Sequence, residues 1–315
     1  MNIPIPYINE AVWERDFKFY IFDWDDNILH MPTKIVMEHL GVDGVWKEVE
    51  LSTSIFALVR GDTEHYRPPS NGGWQRAFAN FSDDGEQGDN NRFLADTLFA
   101  LSKVCAGEKP TPSYNTFKKT LIEGRLFAIV TARGHEPETI RNAVRLFIDY
   151  GLSPLEKMTM LSNLRGYRKW LDKVEQFGTD EEEISYYLNM CRYSPVTNDG
   201  FWQIMANDPI YKEKLAFATS VSKPELAKEF AIRDFVEHVY HTLKRTGALH
   251  KPIAIGFSDD DKGNVRSAVK YIQNELSKRF EGIKFVVYDT SDKSLPKGRK
   301  VCVSGQMNLP GFDII

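Results

Sequence analysis

The chain has 315 residues, of which 42% are hydrophobic, 12% aromatic and 27% charged. That composition supplies core material for one large domain or two smaller ones, and excludes a disordered chain, a collagen-like chain and a small disulfide scaffold. Lys+Arg 40 against Asp+Glu 44 gives a net charge of -4, with no basic excess to suggest a nucleic-acid partner, and the 3 cysteines (Cys105, Cys191, Cys302) are far apart, as in a reducing compartment.

The N-terminus, MNIPIPYINEAVWERD, lacks a basic segment followed by an apolar one, and no run of about 18 apolar residues occurs anywhere. A cytoplasmic protein without membrane contact is expected. Residues 17–22 (FKFYIF) read as a buried strand. Residues 31–112 are long and turn-rich, with PPSNGG at 68–73 and DDGEQGDNN at 83–91. Within them Trp74, Phe78 and Phe81 have helical spacing, which predicts a small local core. Residues 126–131 (LFAIVT) form a second strand. Residues 137–150 read as a helix, with Pro137 in its first turn, Ile140, Val144, Phe147 and Ile148 on one face, and Gly151 closing it.

The apolar run 158–161 (MTML) reads as a third strand and 214–220 (KLAFATS) as a fourth. Residues 163–212 are helical and polar in places. There Thr179 and Glu182 have the spacing of a capping box, which makes the acidic run DEEE a helix start rather than a binding site. A helix over 224–245, a strand at 253–258 (IAIGFS), a helix over 264–279 and a strand at 285–288 (FVVY) complete the pattern. In the helix over 264–279, Val265, Ala268, Val269, Ile272 and Leu276 share one face. Strands alternating with helices predict an α/β fold, a doubly wound, mainly parallel Rossmann-like sheet. Residues 1–30, 113–162 and 213–315 form its core. Residues 31–112 and 163–212 are candidate cap insertions.

The sharpest feature is Asp23-Trp24-Asp25-Asp26-Asn27, directly after the first strand. At an extended strand end, residues i and i+2 point the same way. Asp23 and Asp25 then face one pocket beyond the carboxyl end of the sheet, where ligands of open α/β folds bind. Two carboxylates there require a cation, a shared proton or different roles. The bland alternative is a solvated acidic turn. An EF-hand is excluded, since Ile28 stands where the sharp turn needs Gly and Lys34 where the bidentate Glu belongs. A second acidic cluster, Asp259-Asp260-Asp261, follows 253–258. Together the clusters make a self-repelling group of carboxylates that suits Mg²⁺, although helix capping is an alternative role for part of the second one. Gly256-Phe257-Ser258 lacks the second glycine of a nucleophile elbow. Thr131, at a strand end, is placed to hold a phosphate oxygen. Lys223, before a helix, is placed to neutralise phosphate or carboxylate charge. Arg133 is left open between contacting substrate and pairing with a nearby carboxylate, and His135 is expected to sit in solvent. The basic group Lys293, Lys297, Arg299 and Lys300 reads as a solvated tail.

In this order and each after an apolar run, YIFDWDDN at 20–27, VT at Thr131, SK at Lys223 and GFSDDD at 256–261 resemble the four motifs of the haloacid dehalogenase superfamily of phosphohydrolases. The resemblance covers roughly 15–30, 113–162 and 213–290. It implies a Mg²⁺-dependent phosphatase acting on phosphomonoesters through an aspartyl-phosphate. Asp23 is then the nucleophile and Asp25 the general acid and base. Thr131 and Lys223 grip the phosphoryl oxygens. The metal is held by Asp23, the Asp25 carbonyl, Asp259 and Asp260, with a register slip to Asp260 and Asp261 left open.

The substrate class stays open among a small phosphorylated metabolite, a polynucleotide end and a phosphoprotein. A phosphotransferase or phosphomutase shares the same first half-reaction. A receiver-type phosphoacceptor is disfavoured because its acidic pair precedes the nucleophile. A non-catalytic scaffold is the remaining alternative.

Overall fold

The computed structural model describes residues 11–83, 92–218 and 223–304, with no side-chain description for residues 302–304. In chain order it contains β1 (Phe17–Phe22), β2 (Ile35–Leu40), β3 (Trp46–Leu51), α1 (Thr53–Val59), β4 (Tyr66–Arg67) and α2 (Gly73–Ala77). Then come α3 (Arg92–Cys105), α4 (Tyr114–Ile122), β5 (Phe127–Thr131), α5 (Pro137–Leu146), α6 (Pro154–Tyr167), α7 (Asp180–Met190) and β6 (Arg192–Pro195). The remainder holds α8 (Asp199–Asn207), α9 (Pro209–Ala216), α10 (Lys223–Arg245), β7 (Ile253–Asp259), α11 (Lys262–Tyr271), β8 (Ile283–Asp289) and β9 (Arg299–Ser304).

Six strands form the main sheet in the order β6-β5-β1-β7-β8-β9. All pairings are parallel except β8 with β9. The predicted doubly wound α/β sheet is therefore present. From β1 the chain builds outward through β5 and β6, then returns to the other side of β1 for β7 and β8. The reversal of winding lies at β1, and the crevice above such a point is where open α/β sheets bind ligands.

Alternation along the strands sends Phe17, Phe19 and Ile21 to one face and Phe22 to the other. The first set joins β5, β7 and β8 residues beneath α8, α9, α10 and α11. The second set, with Phe127 and Ile129, packs under α3, α4, α5, α6 and α7. Burying one Phe or Ile in either layer stabilises the fold by about 1.5–3 kcal/mol.

Three of the sequence expectations need correction. Residues 158–161 are not a strand but the middle of α6. Ser153 caps that helix in a full capping box with Glu156, and Pro154 occupies its first turn. Met and Leu are good helix formers, so the local signals outweigh the short apolar run. Residues 214–216 end α9 instead of forming a strand, and 219–220 lie outside the described residues. The strand beside β5 is β6, inside the stretch 163–212, so this stretch contributes directly to the main sheet. Residues 35–81, by contrast, form a separate three-stranded antiparallel sheet, β3-β2-β4. Its core of Ile35, Met37, Leu51, Ala77 and Phe81 is its own.

Candidate active site at the ends of β1, β5 and β7

The strand register brings the motif residues together. Phe22 lies opposite Ser258 and Ile129. One residue further, Asp23 stands beside Asp259, with the Asp23 N–H donating to the Ser258 carbonyl at 3.0 Å. Thr131 ends β5 on the other side of β1 and is buried.

Asp26 adopts a left-handed φ of 52°, which turns the chain back after Asp25. Asn27, fully buried, fastens that turn. Its amide donates to the Asp23 carbonyl at 3.0 Å and to Ser258 Oγ at 3.0 Å. Its Oδ1 accepts from Ser113 at 2.8 Å and Thr290 at 2.8 Å. An asparagine at this position thus joins three chain segments through one side chain.

The lysine that reaches the acidic residues is Lys228, not Lys223. Lys223 is exposed at the start of α10. Lys228, one and a half turns later, is buried, with Nζ 2.7 Å from Asp259 and 3.4 Å from Asp23. Burial opposes its charge, but the Asp259 and Asp23 carboxylates more than compensate and push its pKa up. Asp23 is pushed well above the usual carboxylate range, first by burial and then by Asp259, Asp260 and Asp25, against the pull of Lys228.

Asp25 is held by Arg133. The guanidinium gives it a two-pronged contact, Nε to Oδ2 at 2.8 Å and Nη2 to Oδ1 at 2.7 Å. Nη2 also donates to Thr33 at 2.9 Å. Arg133 is fully buried, with its guanidinium 4.5 Å from both the Phe81 and the Phe93 ring centres. Of the two readings left open for Arg133, the pairing with a carboxylate is present. His135 differs from expectation. It is fully buried, tilted against Phe93 at 4.7 Å, and among the described residues neither ring nitrogen has a partner. Burial, then the neighbouring Arg133 charge, pulls its pKa down to about 3.

The three aspartates after β7 divide their tasks. Asp259 accepts from Lys228, from the Asp261 N–H at 2.9 Å and from Asn264 at 3.2 Å. Asp261 is the N-cap of α11 and also pairs with Arg60 at 2.9 Å. The capping alternative is thus realised by Asp261, which argues against its use as a ligand. Among the described residues Asp260 has one partner, Lys293 at 3.2 Å; burial and the Asp259 charge raise its pKa to about 7 despite that lysine. Lys293 also donates to the Asp26 carbonyl at 2.7 Å, so it belongs to this site and not to a solvated tail.

Among the described residues no three His, Cys, Asp or Glu side chains are grouped closely enough to hold a metal ion. The donor chemistry nevertheless fits a hard cation. All the acidic donors are oxygens, and among the described residues the charges of Asp23, Asp25, Asp259 and Asp260 are offset locally by Lys228, Arg133 and Lys293. The Asp23 and Asp260 carboxyls are raised first by burial and further by the neighbouring carboxylates.

The small sheet touches three of the loops. Thr53 donates to Asp26 at 2.8 Å, Arg60 pairs with Asp261, and the Gly134 N–H donates to the Phe81 carbonyl at 2.7 Å. Sequence reasoning missed Lys228, although a signal existed. It lies on the same helix face as Ala231, Ile232 and Phe235, all buried, and a lysine on such a stripe needs a buried partner.

No known protein family, curated protein or solved structure matches the chain. No helix among the described residues is long and apolar enough to cross a membrane.

Proposed function

We propose that the chain is a Mg²⁺-dependent phosphohydrolase that cleaves phosphomonoesters through an aspartyl-phosphate. One observation carries this reading: a buried aspartate, Asp23, at the carboxyl end of the central strand, with Lys228 at 3.4 Å and Asp25 two residues on. In the first step an Asp23 carboxylate oxygen attacks phosphorus, the bond from phosphorus to the ester oxygen breaks, and Asp25, in the fraction of molecules that carry a proton on it, gives that proton to the departing alkoxide. In the second, water attacks the aspartyl-phosphate phosphorus, Asp25 takes the water proton, and inorganic phosphate leaves with Asp23 restored.

Arg133 fixes the orientation of Asp25 for both transfers, and Lys228 offsets the charge of Asp23 and the incoming phosphoryl group. Thr131 is the candidate hydroxyl for a phosphoryl oxygen. Asp23, the Asp25 carbonyl and Asp260 would hold Mg²⁺, with Asp259 nearby but already engaged by three donors. When bound, the ion supplies charge neutralisation for the phosphoryl oxygens.

The test is phosphate release from a panel of phosphomonoesters with Mg²⁺, with an EDTA control and Asp23→Asn alongside. The reading expects metal-dependent release that falls at least about 10³-fold in the variant. Undiminished release by Asp23→Asn refutes it.

A further inference from the structure

The paired register of β1 and β7 ends at Phe22 and Ser258. Beyond it the chain carries Asp23 and Asp25 on one side and Asp259 and Asp260 on the other. Asp23 there meets the charges of Asp259, Asp260 and Asp25. Like charges push the two loops apart, so holding them at a fixed separation takes a tie beyond the strand ladder.

Thr290, the residue after β8, supplies one. It is fully buried. Its N–H donates to the Asp259 carbonyl at 3.0 Å, and its hydroxyl donates to Asn27 Oδ1 at 2.8 Å. The Asn27 amide in turn donates to the Asp23 carbonyl at 3.0 Å. The backbone of Asp259 and the backbone of Asp23 are thus joined through Thr290 and one side chain.

The neighbours of Asn27 fix which way its amide faces. The Asp23 and Ser258 carbonyls can only accept, so the amide nitrogen lies toward them. Oδ1 is left to accept from Ser113 and Thr290, which fills both of its lone pairs. Every member of this tie is uncharged. A lysine or arginine in its place would hold the loops by neutralising carboxylates, and would compete with a cation for them. Hydrogen bonds to main-chain carbonyls and an amide restrain the loops and leave the carboxylates their charge.

We propose that Thr290 is a positioning residue of the site: through Asn27 it fixes the separation of the Asp23 and Asp259 loops, and with it the geometry offered to the ion and the phosphoryl group. The inference rests on the phosphohydrolase reading. Thr290 lies 263 residues after Asn27 and outside the four motifs.

Two substitutions separate positioning from packing. Thr290→Val keeps nearly the same shape and the N–H but removes the hydroxyl, while Ser113 still donates to Asn27. Thr290→Ser keeps the hydroxyl and removes a buried methyl group. Both should lower the melting temperature, so a purely structural role predicts similar losses in the two. The measurements are steady-state rates with 4-nitrophenyl phosphate, and Mn²⁺ affinity followed by electron paramagnetic resonance, both well below the melting temperatures. Thr290→Val should lose about tenfold in kcat with KM within about twofold, and bind Mn²⁺ about tenfold more weakly. Thr290→Ser should stay within about twofold of wild type in all three quantities. Wild-type kcat and Mn²⁺ affinity in Thr290→Val, or equal losses in both variants, would overturn the proposal and leave the phosphohydrolase reading standing. If the wild type binds Mn²⁺ without turnover, the affinities alone decide. A wild type that neither turns over nor binds Mn²⁺ refutes the reading of the site, and the inference with it.

Discussion

Arg133 and Asp25 show how a single pair sets the character of the site. The arginine is fully buried, so its charge is supportable only because Asp25 meets it at two points and two aromatic rings cover its faces. Removing one member leaves the other as an unpaired charge in a poorly solvated place. Arg133→Ala is expected to cost about 3 kcal/mol of stability, and distinctly less in an Asp25→Asn background. Chemical denaturation of the two single variants and the double variant measures the coupling; strictly additive losses would show that the pair is not the source. The sequence placed Asp23, Asp25 and Thr131 at strand ends because each follows a buried run. It did not single out Lys228, because a lysine inside a long helix leaves no mark except its position on the apolar stripe. Nor did it place His135, whose burial depends on Phe93, forty-two residues away and in a different element.

At the scale of elements, legibility followed burial and local capping. β1, β5, β7 and β8 are apolar runs buried in the middle of the sheet, and each reads as a strand from composition alone. β6 escaped because RYSP is short, polar and half-buried at the sheet edge, so its strand character comes from pairing with β5 and not from its own residues. β9, which is antiparallel to β8, was hidden in a basic stretch for the same reason. Capping, by contrast, was legible where it was specific. Thr179 accepts from the Glu182 N–H, and the Glu182 carboxylate accepts from the Thr179 N–H at 2.7 Å. Three further acidic residues in that first turn suit the helix dipole. Thr179→Ala is expected to destabilise the protein by about 1 kcal/mol. Urea unfolding should show the midpoint falling with an unchanged slope; an unshifted midpoint would mean that the start of α7 is fixed by packing alone.

For the whole molecule, one contribution to the acid response lies at the junction between the small sheet and the main sheet. The small sheet holds to the loops through Thr53, Arg60 and Phe81, and the Phe81 ring lies on Arg133. His135 is buried beside that arginine, so a proton on its ring would bring a second positive charge into the same seam. Its pKa is drawn from 6.5 down to about 3, by burial and then by Arg133. His238 is drawn down to about 4, by burial and then by Arg192. On acidification the unfolded chain takes up these protons first. The stability that depends on neutral histidine is therefore complete above about pH 6.5 and is lost as pH falls toward 3, at up to about 1.4 kcal/mol per pH unit for each group. His135→Phe removes one of these groups and also two buried nitrogens that have no partner among the described residues. Carboxylates titrate in the same range, but they do so in both proteins, so the difference between the two stability curves isolates the histidine. Unfolding free energies measured at pH 7, 5 and 4 should fall more steeply for the wild type than for His135→Phe, and parallel curves would show that His135 is solvated when it takes its proton.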